Sequence, residues 1–77
     1  MRISVKEPLT LYQVVDWFST FQKTGNSVEA VRMPKKVYSR VQKVCRELIF
    51  EQNYIFGAKL VKDNSLPKDE VEIAGYF

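Results

Sequence analysis

The sequence predicts an α+β domain in the order βαβαββ, a small sheet carrying two helices on one face. Three observations predict it. Segments near both ends alternate polar and apolar residues at the period of a half-buried strand. Two intervening segments repeat apolar residues at helical spacing. Breaks rich in Pro, Gly, Asn and Asp separate them.

Arg2 to Lys6 is the first strand, with Ile3 and Val5 on one face and Arg2, Ser4 and Lys6 on the other. Pro8 ends it, because proline has no N–H for the ladder. Thr10 to Thr24 is the first helix. Thr10 and Gln13 form a T-x-x-Q capping box, and Leu9 staples onto Val14. Leu11, Val14, Val15, Phe18 and Phe21 make its expected buried stripe, and Gly25 supplies the stop. Val28 to Met33 reads as a strand. Pro34 then suits the start of a second helix, expected to run to about Glu51 with Val37, Val41, Val44, Cys45 and Leu48 inward. Ala58 to Lys62 and Val71 to Tyr76 read as a closing hairpin joined by the turn residues Asp63 to Asp69.

A chain of 77 residues bounds this to one domain, residues 1–77. A fold that small buries only about 60% of its unfolded surface, so its core must be dense. The supply is adequate, with 45% hydrophobic residues including five Phe, four Tyr and one Trp. The single cysteine, Cys45, allows no internal disulfide. The N-terminal residues lack a signal-peptide core, and no apolar run approaches the roughly 20 residues of a membrane span. The expected location is therefore the cytoplasm, with no membrane partner.

The sequence contains no histidine. That removes the commonest general base and zinc ligand, and the Ser-His and Cys-His nucleophile pairs. Cys45 lies on the apolar stripe of the second helix, where a packed core thiol is expected. Asp63, Asp69, Glu70 and Glu72 make the C-terminal part acidic, and Glu70 and Glu72 share one strand face. No calcium-loop, phosphate-loop or dinucleotide motif accompanies them, and a charged strand edge is the reading adopted. Neither an enzyme nor a cofactor is expected.

The net charge of +3 is unevenly spread. Six of the twelve basic residues fall between Arg32 and Arg46, with no acid among them. Lys36, Arg40 and Lys43 follow one another at i, i+4 and i+7 of the second helix, flanked by Lys35 and Arg46. Such a face can track phosphates; it can equally be a solvated helix surface. Tyr54, Phe56, Tyr76 and Phe77 crowd the C-terminal part, and Tyr38 lies near the basic stripe. Such rings serve as stacking platforms, as core, or as contacts to a partner. Tyr12 and Trp17 flank the stripe of the first helix and would suit a homodimer face.

Three resemblances follow from particular residues. Arg2-Ile3-Ser4-Val5-Lys6 and Lys23-Thr24-Gly25-Asn26-Ser27-Val28-Glu29-Ala30-Val31-Arg32 resemble the strand and second-helix start of ribbon–helix–helix repressors. That likeness implies a dimeric ribbon with Arg2, Ser4 and Lys6 reading bases, but Pro34 would fall inside its second helix. The βαβαββ order, with Val5-Lys6-Glu7-Pro8-Leu9 leading into an amphipathic helix, is similar to the nucleic-acid-binding folds of Alba and the C-terminal domain of initiation factor three. Met33-Pro34-Lys35-Lys36 stands where Alba has Gly-Arg. Ile55 to Pro67 through Gly75-Tyr76-Phe77 is similar to a strand–turn–strand near the end of tailed-phage major capsid proteins, implying a small phage-encoded protein.

The leading expectation is a non-enzymatic module binding nucleic acid through Lys35, Lys36, Arg40, Lys43 and Arg46. The alternative is a phage accessory or host-takeover factor. It would bind an acidic host protein surface or a virion protein, using Tyr54, Phe56, Tyr76 and Phe77.

Overall fold

The structure, a computed structural model, describes residues 1–50 and 53–76. Strand β1 (Arg2–Ser4) leads to helix α1 (Leu11–Gln22), strand β2 (Ser27–Met33) and helix α2 (Lys35–Val44). A 3-10 turn (Arg46–Leu48) precedes the short strands β3 (Ile49–Phe50) and β4 (Tyr54–Ile55), then β5 (Ala58–Lys62) and β6 (Glu70–Tyr76). Among the described residues the strands form one sheet in the order β1-β6-β2-β5-β4-β3.

β1 and β2 are both antiparallel to β6, and β2 is parallel to β5. The connections through α1 and α2 therefore step across the sheet in the same direction between parallel strands. Right-handed crossovers put both helices on one face. α1 packs on β2, α2 on β5, and the helices touch each other. The expected two-layer α+β architecture is present.

Local chemistry explains α1. Thr10 accepts a hydrogen bond from the Gln13 N–H at 3.3 Å, as an N-cap should. The Gln13 side chain does not complete the box. It accepts from the Lys6 N–H (2.8 Å) and donates to the Lys6 carbonyl (2.7 Å), pinning the incoming chain instead. The buried stripe is rotated from expectation: Val14, Trp17, Phe18 and Phe21 face the core, and Val15 is exposed.

In β2, Val28 and Val31 are three residues apart, so simple alternation would send them to opposite faces. A bulge at Glu29 shifts the register, pairing Val28 with Gly75 and Ala30 with Ala74. Both valines are thereby buried under the helices. Val71 and Ile73 of β6, Leu60 of β5 and Ile55 of β4 complete the sheet side of the core.

Several expectations are corrected. α2 stops at Val44, not near Glu51, because Ile49 and Phe50 pair with Ile55 and Tyr54 and the chain must leave the helix to reach them. Glu51 itself lies outside the described residues. The closing strands are not a hairpin: β2 lies between β5 and β6 and pairs with both. The ribbon–helix–helix alternative fails as well. Ser27–Met33 is a strand with Pro34 directly after it, and β1 pairs within its own chain, with β6.

Gly75 permits a close approach of the two layers. A Cβ built there would come within 2.3 Å of the Phe21 ring and 2.6 Å of the Ser27 carbonyl oxygen. Phe21 is buried, so its ring has little room to yield. Gly75→Ala is expected to destabilise the domain by about 1–3 kcal/mol, read as a lower denaturant midpoint at unchanged slope.

Candidate nucleic-acid interface

α2 divides its residues cleanly. Val37, Tyr38 and Val41 are buried against the sheet and α1, while Lys35, Lys36, Ser39, Arg40, Gln42 and Lys43 are exposed. At 1.5 Å per residue the helix offers a face about 15 Å long, the axial length of about four base pairs. Arg46 leaves the helix for the 3-10 turn but stays beside it. Ser39, Gln42, Lys43 and Arg46 line one shallow depression on the outer surface.

Three contacts hold α2 in place. Pro34 occupies the N-cap position and has no side chain to cap with. Asn64, in the β5–β6 loop, supplies the missing acceptor: its Oδ1 takes the Lys35 N–H at 3.1 Å. The loop is itself braced, since the Asp63 N–H donates to the Met33 carbonyl at 2.8 Å. Asp63 also accepts from the hydroxyl and N–H of Ser65, and these bonds hold its carboxyl below the ordinary aspartate range. Farther along, the Gln42 amide donates to the Asn53 side chain at 3.2 Å.

The charges on this face are sparsely paired. Among the described residues one ion pair reaches it, Arg40 with Glu7, and both partners are about half exposed, so the pair adds little stability. Lys35 and Lys36 stand in the first turn, where the helix dipole disfavours cations, and that turn holds no acid. Lys43 stands in the last turn, where the dipole favours it. Lys62, which the sequence reading did not include, extends the basic surface. Its ammonium lies 4.9 Å from the centroid of the Tyr38 ring. Alternation in β5 was the available signal, since Ala58, Leu60 and Lys62 share the helix-facing side.

The aromatic candidates do not join this surface. Tyr38 is buried, and burial raises its phenol pKa; it is a floor for Lys62, not an open stacking platform. Tyr54 is exposed on the sheet face away from the helices, opposite the buried Ile55. Phe56 is exposed in the β4–β5 turn, where its ring meets Phe18 edge to face at 5.3 Å. The side chain of Tyr76 and the whole of Phe77 lie outside the described residues. Glu70 and Glu72 are half-buried on the helix-free face, and Glu72 pairs with Arg2 at 3.1 Å. Among the described residues no three metal-ligating side chains converge, and no helix is long and apolar enough to cross a membrane.

No family model, curated protein or solved structure matches this chain. Its functional reading therefore rests on its own geometry.

Two expectations follow. Lys35→Gln and Lys36→Gln should each raise stability by about 0.3–1 kcal/mol at low ionic strength, whereas Lys43→Gln should lower it slightly; thermal melts at two salt concentrations would read the difference. Cys45 is buried and burial pushes its thiol pKa up, so native protein should label with a thiol reagent only at its unfolding rate.

Proposed function

We propose that this chain is a non-enzymatic binding protein that grips the phosphate backbone of a nucleic acid with the outer face of α2. One observation carries the reading. The exposed positions of α2 hold four cations, Lys35, Lys36, Arg40 and Lys43, and no carboxylate. A solvated helix face ordinarily mixes both signs, because i,i+4 pairs of opposite charge add stability. Here two of the lysines work against the helix dipole, so helix stability does not account for them.

Arg46 and Lys62 widen the same surface, which supports several phosphate contacts along one strand or across a groove. The acids Glu70 and Glu72 sit on the other side of the sheet, away from an approaching polyanion. Arg40 would exchange Glu7 for a phosphate, a small cost because the pair is exposed. The reading rests on cations, so the binding expected is to the backbone, with steep salt dependence and weak sequence preference.

The test is a salt titration of duplex and single-stranded binding. Replacing Lys36, Arg40 and Lys43 together by Gln should weaken affinity and flatten the slope of log K against log salt by up to about 2–3 units, near 0.9 per lost contact on duplex DNA. An unchanged slope and affinity would overturn the reading. A partner captured from lysate that survives nuclease treatment would point instead to an acidic protein surface meeting the same cations.

A further inference from the structure

The basic face of α2 contains a recess. Ser39, Gln42, Lys43 and Arg46, at i, i+3, i+4 and i+7, line an open depression of about 630 Å³. That volume lies within the roughly 300–1,000 Å³ of small-molecule sites, and one phosphate group would leave most of it empty. Two of the lining side chains, Ser39 and Gln42, are uncharged. Phosphate gripping accounts for the cations, but neither for the recess nor for the amide in its wall.

Gln42 is held from outside its own helix. Its Nε2 donates to the Asn53 Oδ1 at 3.2 Å, on the residue just ahead of β4. Asn53 is itself fixed. Its carbonyl accepts the Leu60 N–H at 2.8 Å, and its backbone is left-handed at φ 72°, a conformation that asparagine tolerates. With one N–H engaged, the Gln42 carboxamide keeps a second N–H and an oxygen side by side in one plane. An amide already held in place loses less freedom on binding than a loose one.

These groups identify the occupant. Every nucleic-acid base carries a neighbouring donor and acceptor on its pairing edge, which a carboxamide complements. Lys43 supplies a point charge for the adjoining phosphate, and Arg46 a guanidinium plane on which a base stacks. Among the described residues no carboxylate lines the recess. A paired base inside a duplex cannot enter a hollow in the protein, whereas a base turned out of its stack projects into one. We infer that the recess takes one unpaired base of a single-stranded nucleic acid, its edge met by Gln42 and its phosphate by Lys43. The inference rests on the reading of α2 as a phosphate-binding face and narrows the ligand to a strand with free bases.

Phosphate and base contacts separate in salt. Each phosphate contact releases counterions and steepens the slope of log K against log salt. A hydrogen-bonded base releases none, so it shifts log K equally at every salt concentration. Because a carboxamide suits every pairing edge in some orientation, the preference among the bases is weak. What the recess registers is the presence of a free base.

Fluorescence anisotropy across a salt series tests the inference. The ligands are a mixed-sequence single strand, the same strand lacking its bases, and the duplex of equal length, the single strands being made both as DNA and as RNA. In at least one of the two backbones the base-bearing strand should bind about threefold to tenfold more tightly than the abasic one, the worth of one net hydrogen bond. The two salt slopes should be equal. Gln42→Leu, which keeps the bulk, should abolish that gap and leave both the slope and the duplex affinity unchanged. Asn53→Gly, which frees the amide but suits the left-handed backbone, should narrow the gap at a melting temperature close to the parent's. Equal affinity for abasic and base-bearing strands in both backbones overturns the inference, as does a gap that survives Gln42→Leu. Either result leaves the phosphate reading standing, whereas a parent that binds none of the ligands overturns both.

Discussion

The two-sided pairing of β2 is the constraint on which the rest of the domain depends. This strand is parallel to β5 on one side and antiparallel to β6 on the other. Its Val31 and Met33 are fully buried. Because β2 ends at Met33 and Pro34 follows at once, α2 starts from the end of the most deeply held strand. The Met33 carbonyl also receives the Asp63 N–H, which brings the β5–β6 loop to the same corner. Strand, loop and helix start thus meet at one point, and the outward direction of Lys36, Arg40 and Lys43 follows from it.

Much of this was legible in local sequence. Thr10 capped α1 as its spacing with Gln13 implied, and the polar alternation of Ala58 to Lys62 placed β5 at its observed bounds. What was not legible depends on contacts between distant residues. Val44, Cys45 and Leu48 continue the apolar period of α2 through the 3-10 turn, so periodicity could not mark where the helix stops. The stop comes from Ile49 and Phe50 finding Ile55 and Tyr54. Alternation likewise shows that Val71 to Tyr76 is a strand without showing that β2, and not β5, lies beside it. For the candidate site, the five cations were visible singly. The pairing of Arg40 with Glu7 and the approach of Lys62 to Tyr38 were not, since each joins separate elements.

The domain separates its charges by layer. The helix layer carries the basic face of α2, and the helix-free sheet face balances its charges internally. There Glu72 pairs across strands with Arg2 on one side and stands opposite Arg32 on the other. Cross-strand pairs of this kind stabilise a sheet surface locally. Among the described residues the outer side of α2 has one ion pair, that of Arg40 with Glu7. The contrast comes from topology: a central strand has neighbours on both sides, and a helix laid on top has one face with none.

The cap from Asn64 has a consequence for how the molecule is made. The Lys35 N–H finds its acceptor 29 residues farther along the chain. During synthesis from the N-terminus, every residue of α2 emerges before the side chain that closes its first turn. Short helices alone are marginal in water, and this one begins with two lysines at its unfavourable end. The nascent basic segment therefore stays loosely structured until β5 and its loop have followed. A fragment ending ahead of Asn64 would keep all the cations of α2 but lack this device for holding them in register, so the charged face belongs to the completed domain and not to the helix as a separable peptide.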